Sequence, residues 1–195
     1  RLALGDLWRI GFPIPQTIRK RKSRPMIELS DIRRAAERIA GTIRRTPVIS
    51  AAPAKCGLPG QVSLKLESLQ VTGSFKARGA VSKLTALEEA EVARGLVTAS
   101  GGNHGLGVAY AGWLSGTPAT VYLPANTPAS KAKLLEAWGA KVIFEGQVWD
   151  DANRAAQGAA ERDGQTLPAV DHVHQIGVLQ IVVCLVVAHV AMVVG

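Results

Sequence analysis

Apolar positions along this chain follow two alternating rhythms. Ile32, Ala35, Ala36, Ile39 and Ala40 fall at helical spacing, with Ser30 placed to cap the start and Gly41 to end it. RRTPVIS is read as extended, because Pro47 biases the residue before it away from the helical region. VSLKLE (62–67) alternates as a strand does, residues 76–91 read as a helix, and GLVTA (95–99) is a continuous apolar run expected to be a buried strand. An Ala/Gly-rich helix over 104–115 should stop near Gly116, before a strand at ATVYL (119–123). Thr127 is expected to cap a helix with Pro128 at its first position, carrying Leu134, Leu135 and Trp138 to Gly139. KVIFE (141–145) reads as a strand, and 150–163 as a helix closed by Gly164.

Strands alternating with helices through short connections predict an α/β fold, with a parallel sheet covered by helices on both faces. In such folds ligands sit beyond the carboxyl ends of the strands, beside helix N-termini. Two loops hold that position, LQVTGSF and SGGN (100–103), and they would face one crevice if their strands are neighbours. Neither matches the P-loop or the G-x-G-x-x-G dinucleotide pattern.

Charge changes this picture only at the N-terminus. The chain of 195 residues carries a net charge of +8. Residues 1–25 hold seven Lys/Arg and one acid, a net of +6, while the remainder holds sixteen against fourteen. The body is thus near neutral, and residues 1–25 are read as an N-terminal extension ahead of Met26. A nucleic-acid-binding arm is the alternative weighed and set aside. Cys56 and Cys184 match no metal spacing and read as free thiols of a reducing, cytoplasmic compartment. Residues 176–195 contain no Lys, Arg, Asp or Glu and are long enough to span a bilayer. Valine richness, Gln180, His189 and the lack of basic flanks weigh against a membrane anchor.

The candidate chemistry starts at TGSFKARG (72–79). An ammonium at a helix start opposes the positive end of the helix dipole, and partial burial also disfavours its charge. Lys76 could therefore be a nucleophile toward carbonyls, or simply extend to water. SGGNHG (100–105) adds adjacent glycines able to turn backbone N–H groups toward an anion. It reads either as a carboxylate or phosphate cradle or as a tight strand-to-helix turn.

Taken together, LKLESLQVTGSFKARGA and ASGGNHGLGVAYA resemble the pyridoxal-phosphate-dependent serine/threonine dehydratases, relatives of serine racemase with the fold-type-II architecture. The likeness runs from about Ile32 to Gly164 and includes RTPV (45–48) and TPASKAKLLEAWGAKV (127–142). It implies that Lys76 forms the Schiff base with pyridoxal 5'-phosphate and later moves a proton, and that Phe75 lies against the cofactor ring. It further implies that Asn103 bonds the ring hydroxyl, while Ser100, Gly102, Asn103 and His104 hold the substrate carboxylate. The implied reaction is dehydration and deamination of a hydroxy amino acid to a 2-oxo acid and ammonia, in an enzyme that forms homo-oligomers. The alternatives are an amino-acid racemase, another fold-type-II lyase, or a non-catalytic fragment. No glycine-rich phosphate loop follows residue 165. The expected division is an extension at 1–25, an incomplete α/β domain at 26–165, and an atypical apolar tail at 166–195.

Overall fold

The computed structural model describes residues 27–51 and 62–166. The expectations for residues 1–25, for Cys56 and Cys184, and for the tail beyond Thr166 lie outside them.

Helix α1 (Leu29–Arg38) is followed by strands β1 (Val48–Ala51) and β2 (Val62–Lys65) and a 3-10 turn (Glu67–Leu69). Next come α2 (Lys76–Leu84), α3 (Glu89–Ala93), β3 (Leu96–Thr98) and α4 (Asn103–Ser115). The described chain closes with β4 (Ala119–Leu123), α5 (Ala129–Glu136), β5 (Lys141–Phe144) and α6 (Trp149–Asp163). Strands β3, β4 and β5 form a parallel sheet in that order, in register Leu96 with Ala119 and Thr120 with Lys141. Thr166 adds a parallel bridge on the free side of β3, donating to the Gly95 carbonyl and accepting from Val97 N–H, each at 2.9 Å.

The period-2 pattern of ATVYL explains how the sheet is covered. Ala119, Val121 and Leu123 point to one face and are buried with Leu96, Val81, Val108 and Leu135 of β3, α2, α4 and α5. Val97 and Ala99 point to the other face, where α6 lays Ala152, Ala156 and Ala159 along a single helical stripe. The small alanines let α6 lie close against the strands. Helices on both faces of a parallel sheet are therefore what the structure contains.

The first strand is where expectation and structure part. VSLKLE does form a strand, but β2 pairs antiparallel with β1, Val48 opposite Lys65, in a separate two-stranded sheet. Its alternation could not reveal its partner, because pairing is set by what approaches its edge. The helix expected over 76–91 is divided. The Thr85 hydroxyl donates to the carbonyls of Val81 and Ser82 at 3.0 and 3.2 Å and closes α2. The chain restarts at α3, where Glu88 N–H donates to the Glu91 carboxylate at 3.0 Å. Two expected caps also shift, one by two residues and one by one. Glu28 precedes α1 and donates to Asp31 at 3.0 Å, leaving Ser30 inside the first turn. Pro128, with no N–H to lose, takes the cap position of α5 in place of Thr127. Gly116 and Gly164 end their helices at φ of +68° and +62°, as the sequence indicates. No helix among the described residues is long and apolar enough to cross a membrane.

A buried polar cluster joins the segments flanking the antiparallel ribbon to α2. Arg78 of α2 forms a forked pair with Glu67, Nε to Oε2 at 2.8 Å and Nη2 to Oε1 at 2.7 Å. The same Nη2 donates to the Arg44 carbonyl at 3.2 Å, and the Thr46 hydroxyl donates to Glu67. Gln70 brackets Arg44 from both sides, accepting from its N–H and donating to its carbonyl at 2.9 Å each. Burial alone would raise the Glu67 pKa. The bonds from Arg78 and Thr46, with the charges of Arg78 and Lys65, outweigh it and hold the carboxyl below its ordinary value.

A carboxyl depressed in the folded state stabilises the fold above its unfolded pKa, and that contribution is lost as pH falls through the folded value. Acid unfolding followed by circular dichroism should therefore show the wild-type chain losing stability below the ordinary carboxylate range near 4.5. In Glu67→Gln that slope should flatten, with lower stability at neutral pH, by about 3 kcal/mol for a broken buried pair.

Candidate active site

The loop that delivers Lys76 is built from turns. Gly73 sits at φ +72°, a left-handed conformation that glycine accepts without strain. Ser74 is buried, and its Oγ accepts the Lys76 backbone N–H at 3.4 Å. Phe75 has helical φ and ψ and leads directly into Lys76, the first residue of α2. The Lys76 ammonium lies 5.1 Å from the centroid of the Phe75 ring. Loss of solvent around it pushes the Lys76 pKa below its ordinary value, which favours the neutral, nucleophilic amine.

Ser100 to His104 form the turn from β3 into α4. Gly102 occupies the cap position and donates its N–H to Ser100 Oγ at 3.3 Å. Asn103 opens the helix at the surface, and His104 is buried. The first backbone N–H groups of α4 thus point away from the helix at a half-buried, electropositive end. The strand before the turn is held from outside, since Trp149 Nε1 donates to the Ala99 carbonyl at 2.8 Å.

The strands carrying these two loops are not neighbours, because β2 belongs to the other sheet. Direct packing of α2 on α4 brings the loops together instead. Gly107 makes this possible, since a Cβ there would stand 3.0 Å from both the carbonyl carbon and the oxygen of Lys76. Asn103 and Gly107 are one helical turn apart on the same face, so the residue touching Lys76 and the residue opening the amide turn line one edge of α4. Gly105 has a different duty. A Cβ at that position would fall 1.8 Å from the Ser100 carbonyl oxygen, so the SGGN turn closes only around a glycine.

All six residues singled out from the sequence therefore lie in two loops joined by one helix contact. The sequence reading missed Gly105, Gly107, Trp149 and the Arg78–Glu67 pair. The two glycines were in view within the quoted motif, but only a close-approach requirement distinguishes them from ordinary helix residues. A cavity of about 370 Å³ is found elsewhere, lined by Ile32, Ile39, Ile43, Arg44, Lys65 and Arg78. It contains neither Lys76 nor the SGGN turn, and the chemistry of the donor set outweighs its size in locating the site. No cluster of three or more His, Cys, Asp or Glu suited to a metal occurs among the described residues.

The donor set fits an aldehyde cofactor with an amino-acid partner. It offers an amine made less basic by burial, a turn of outward N–H groups, and the buried Thr72 hydroxyl, which has no hydrogen-bond partner among the described residues. The close approach at Gly105 carries its own expectation. Gly105→Ala should unfold at a markedly lower temperature than wild type, whereas Gly102→Ala, with nothing nearer than 4.0 Å to its Cβ, should change little. Thermal melts of the two variants check this.

Comparison with known proteins gives the same family. Residues 39–180 match the model described as pyridoxal-phosphate dependent enzyme. The L-threo-3-hydroxyaspartate ammonia-lyase of a Pseudomonas species is 40% identical over 143 residues, 73% of this chain and 45% of that enzyme. The L-threonine ammonia-lyase of Thermotoga maritima is 42% identical over 139 residues, 71% of this chain and 35% of that enzyme. Among solved structures, maize serine racemase superposes with a TM-score of 0.67 at 34% identity, covering 73% of this chain and 43% of the racemase. The chain thus spans less than half the length of these relatives. With a family match over most of its length and a fold to agree, the chain belongs to the pyridoxal-phosphate-dependent enzymes of fold type II.

Proposed function

We propose that this chain is the lysine-bearing part of an ammonia-lyase acting on a hydroxy amino acid such as serine or threonine, with Lys76 as the residue that holds pyridoxal phosphate. The observation that carries the reading is the seating of Lys76. Its backbone abuts α4 at Gly107, one turn from the amide-presenting start of that helix, and its amine is less basic than an exposed lysine. The names of the Pseudomonas and Thermotoga relatives support the lyase chemistry.

In this reading the turn at Ser100, Gly102, Asn103 and His104 receives the substrate carboxylate through backbone N–H groups and the Ser100 and Asn103 side chains. Lys76 Nζ takes the proton from the substrate α-carbon and returns it where needed. Loss of solvent around that nitrogen lowers its pKa, which favours the neutral amine that acts as the base. When bound, the cofactor withdraws electrons from the α-carbon. The balance is loss of water from the α- and β-carbons to an enamine, which tautomerises and takes up water to give a 2-oxo acid and ammonia. Among the described residues no group is assigned to the cofactor phosphate.

The similarity to maize serine racemase favours a second reading, in which Lys76 removes the proton and a proton is returned from the opposite face of the α-carbon. Incubation with L-serine separates the two, since pyruvate and ammonia mark the lyase and D-serine marks the racemase.

The seating of Lys76 is tested by incubating the chain with pyridoxal phosphate, reducing with borohydride and mapping the label by peptide mass. The label should fall on Lys76, at lower pH than on the exposed Lys131 and Lys133, and should vanish in Lys76→Ala. Equal labelling of all lysines would overturn the assignment.

A further inference from the structure

Lys76 stands at the start of α2, where Ser74 Oγ accepts its backbone N–H at 3.4 Å and the Arg78 N–H donates to the Phe75 carbonyl at 3.0 Å. The first turn of a helix has the fewest intrahelical bonds and is the part that its surroundings must hold. The residues before it form a turn through Gly73, whose backbone supplies little stiffness. Yet two residues beyond Lys76, within the same first turn, Arg78 is among the most firmly held side chains in the molecule. It and Glu67 are each 9% exposed, and the guanidinium uses both edges of its fork on the carboxylate. The Arg44 carbonyl and the Thr46 hydroxyl take further bonds from Nη2 at 3.2 and 3.4 Å. Thr46 is in turn held by Lys65, whose Nζ donates to its carbonyl at 2.6 Å. On the opposite side α4 meets the Lys76 carbonyl at Gly107.

We propose that Arg78 and Glu67 are positioning residues for Lys76, their buried fork pinning the first turn of α2 against Gly107 of α4. The inference rests on Lys76 being the reactive lysine. An apolar pair of similar volume would fill the same space, so the charges are not required for packing. What a forked pair adds is direction: the two parallel bonds fix the rotation of α2 about its axis, and with it the side from which Lys76 leaves the backbone. Without the fork the first turn can unwind and release the lysine toward water. The charged and titratable groups on the elements around Lys76 are Arg78 and Lys83 on its own helix, Glu67 on the 3-10 turn, and His104 and Tyr110 on α4.

Two effects of opposite sign make this testable. Removing the Glu67 carboxylate takes a negative charge from the neighbourhood, which by simple electrostatics would make Lys76 easier to deprotonate. Loosening the helix start would return Lys76 to solvent and make it harder to deprotonate. The measurement is the pH profile of acetylation of the 195-residue chain without cofactor, read residue by residue by peptide mass, with Lys131 and Lys133 as internal references. In Glu67→Gln and in Arg78→Lys, which keeps the charge and loses the fork, the Lys76 midpoint should rise toward the references. Each unit of rise reads as about a tenfold lower rate below the midpoint. Thr46→Val, which removes one bond to Glu67 and keeps the shape, should give a smaller rise in the same direction, and it decides the matter if the charged variants lose their far-ultraviolet circular dichroism. A midpoint that stays in place or falls in the folded variants overturns the proposal. Failure of wild-type Lys76 to trap pyridoxal phosphate would instead count against the functional reading, so the two failures are distinguishable.

Discussion

The buried pairing of Arg78 with Glu67 is the interaction that joins α2 to the segments flanking the antiparallel ribbon. Burying two opposite charges costs several kcal/mol per ion and is repaid only where geometry is good and the remaining bonding capacity is met. Here those conditions hold through residues far apart in sequence: Arg44 and Thr46 before β1, Glu67 and Gln70 after β2, and Arg78 in α2. The cluster thus ties a two-stranded antiparallel sheet to a helix of the parallel-sheet region. A two-stranded ribbon is marginal on its own, so the polar cluster anchors the ribbon as much as it anchors the helix.

This anchoring accompanies the approach of two segments from different sheets, at Gly107 and Lys76. Loops at the carboxyl ends of adjacent parallel strands converge because the strands are adjacent. Here only SGGN follows a strand of the parallel sheet, whereas TGSFK arrives from an antiparallel ribbon. Convergence is supplied by packing α2 on α4, and close packing needs small residues at the crossing. Gly107 meets that need beside Lys76, and Gly105 meets the separate need of folding the turn back on Ser100. The motif G-x-G within NHGLG therefore combines one steric demand from its own turn with another from a neighbouring helix.

The surrounding layers follow from elementary patterning. Alternation in ATVYL separates two apolar clusters, one filled by α2, α4 and α5, the other by an alanine stripe on α6. From the same helix Trp149 reaches back to the carbonyl of Ala99, one residue before the site turn. Coverage of the sheet and support of the turn are thereby two results of one helix placement.

Local chemistry sufficed to read most elements from the sequence. Short apolar, β-branched runs marked the strands at 96–98, 119–123 and 141–144, and glycines at 116 and 164 marked helix ends, because strand preference and left-handed helix ends are properties of the residues themselves. The candidate residues Lys76, Ser100, Gly102, Asn103 and His104 stood out in the sequence because amines, adjacent glycines and amides carry recognisable local chemistry, and the structure places them at the starts of α2 and α4. The break after Leu84 was not legible, since ALEEAE is good helix sequence. The partner of β2, the burial of Arg78 with Glu67 and the approach of Gly107 to Lys76 were decided only in the tertiary structure. Each is an encounter between segments distant in the chain, and a strand edge, a charged side chain or a glycine carries no local sign of what it will meet.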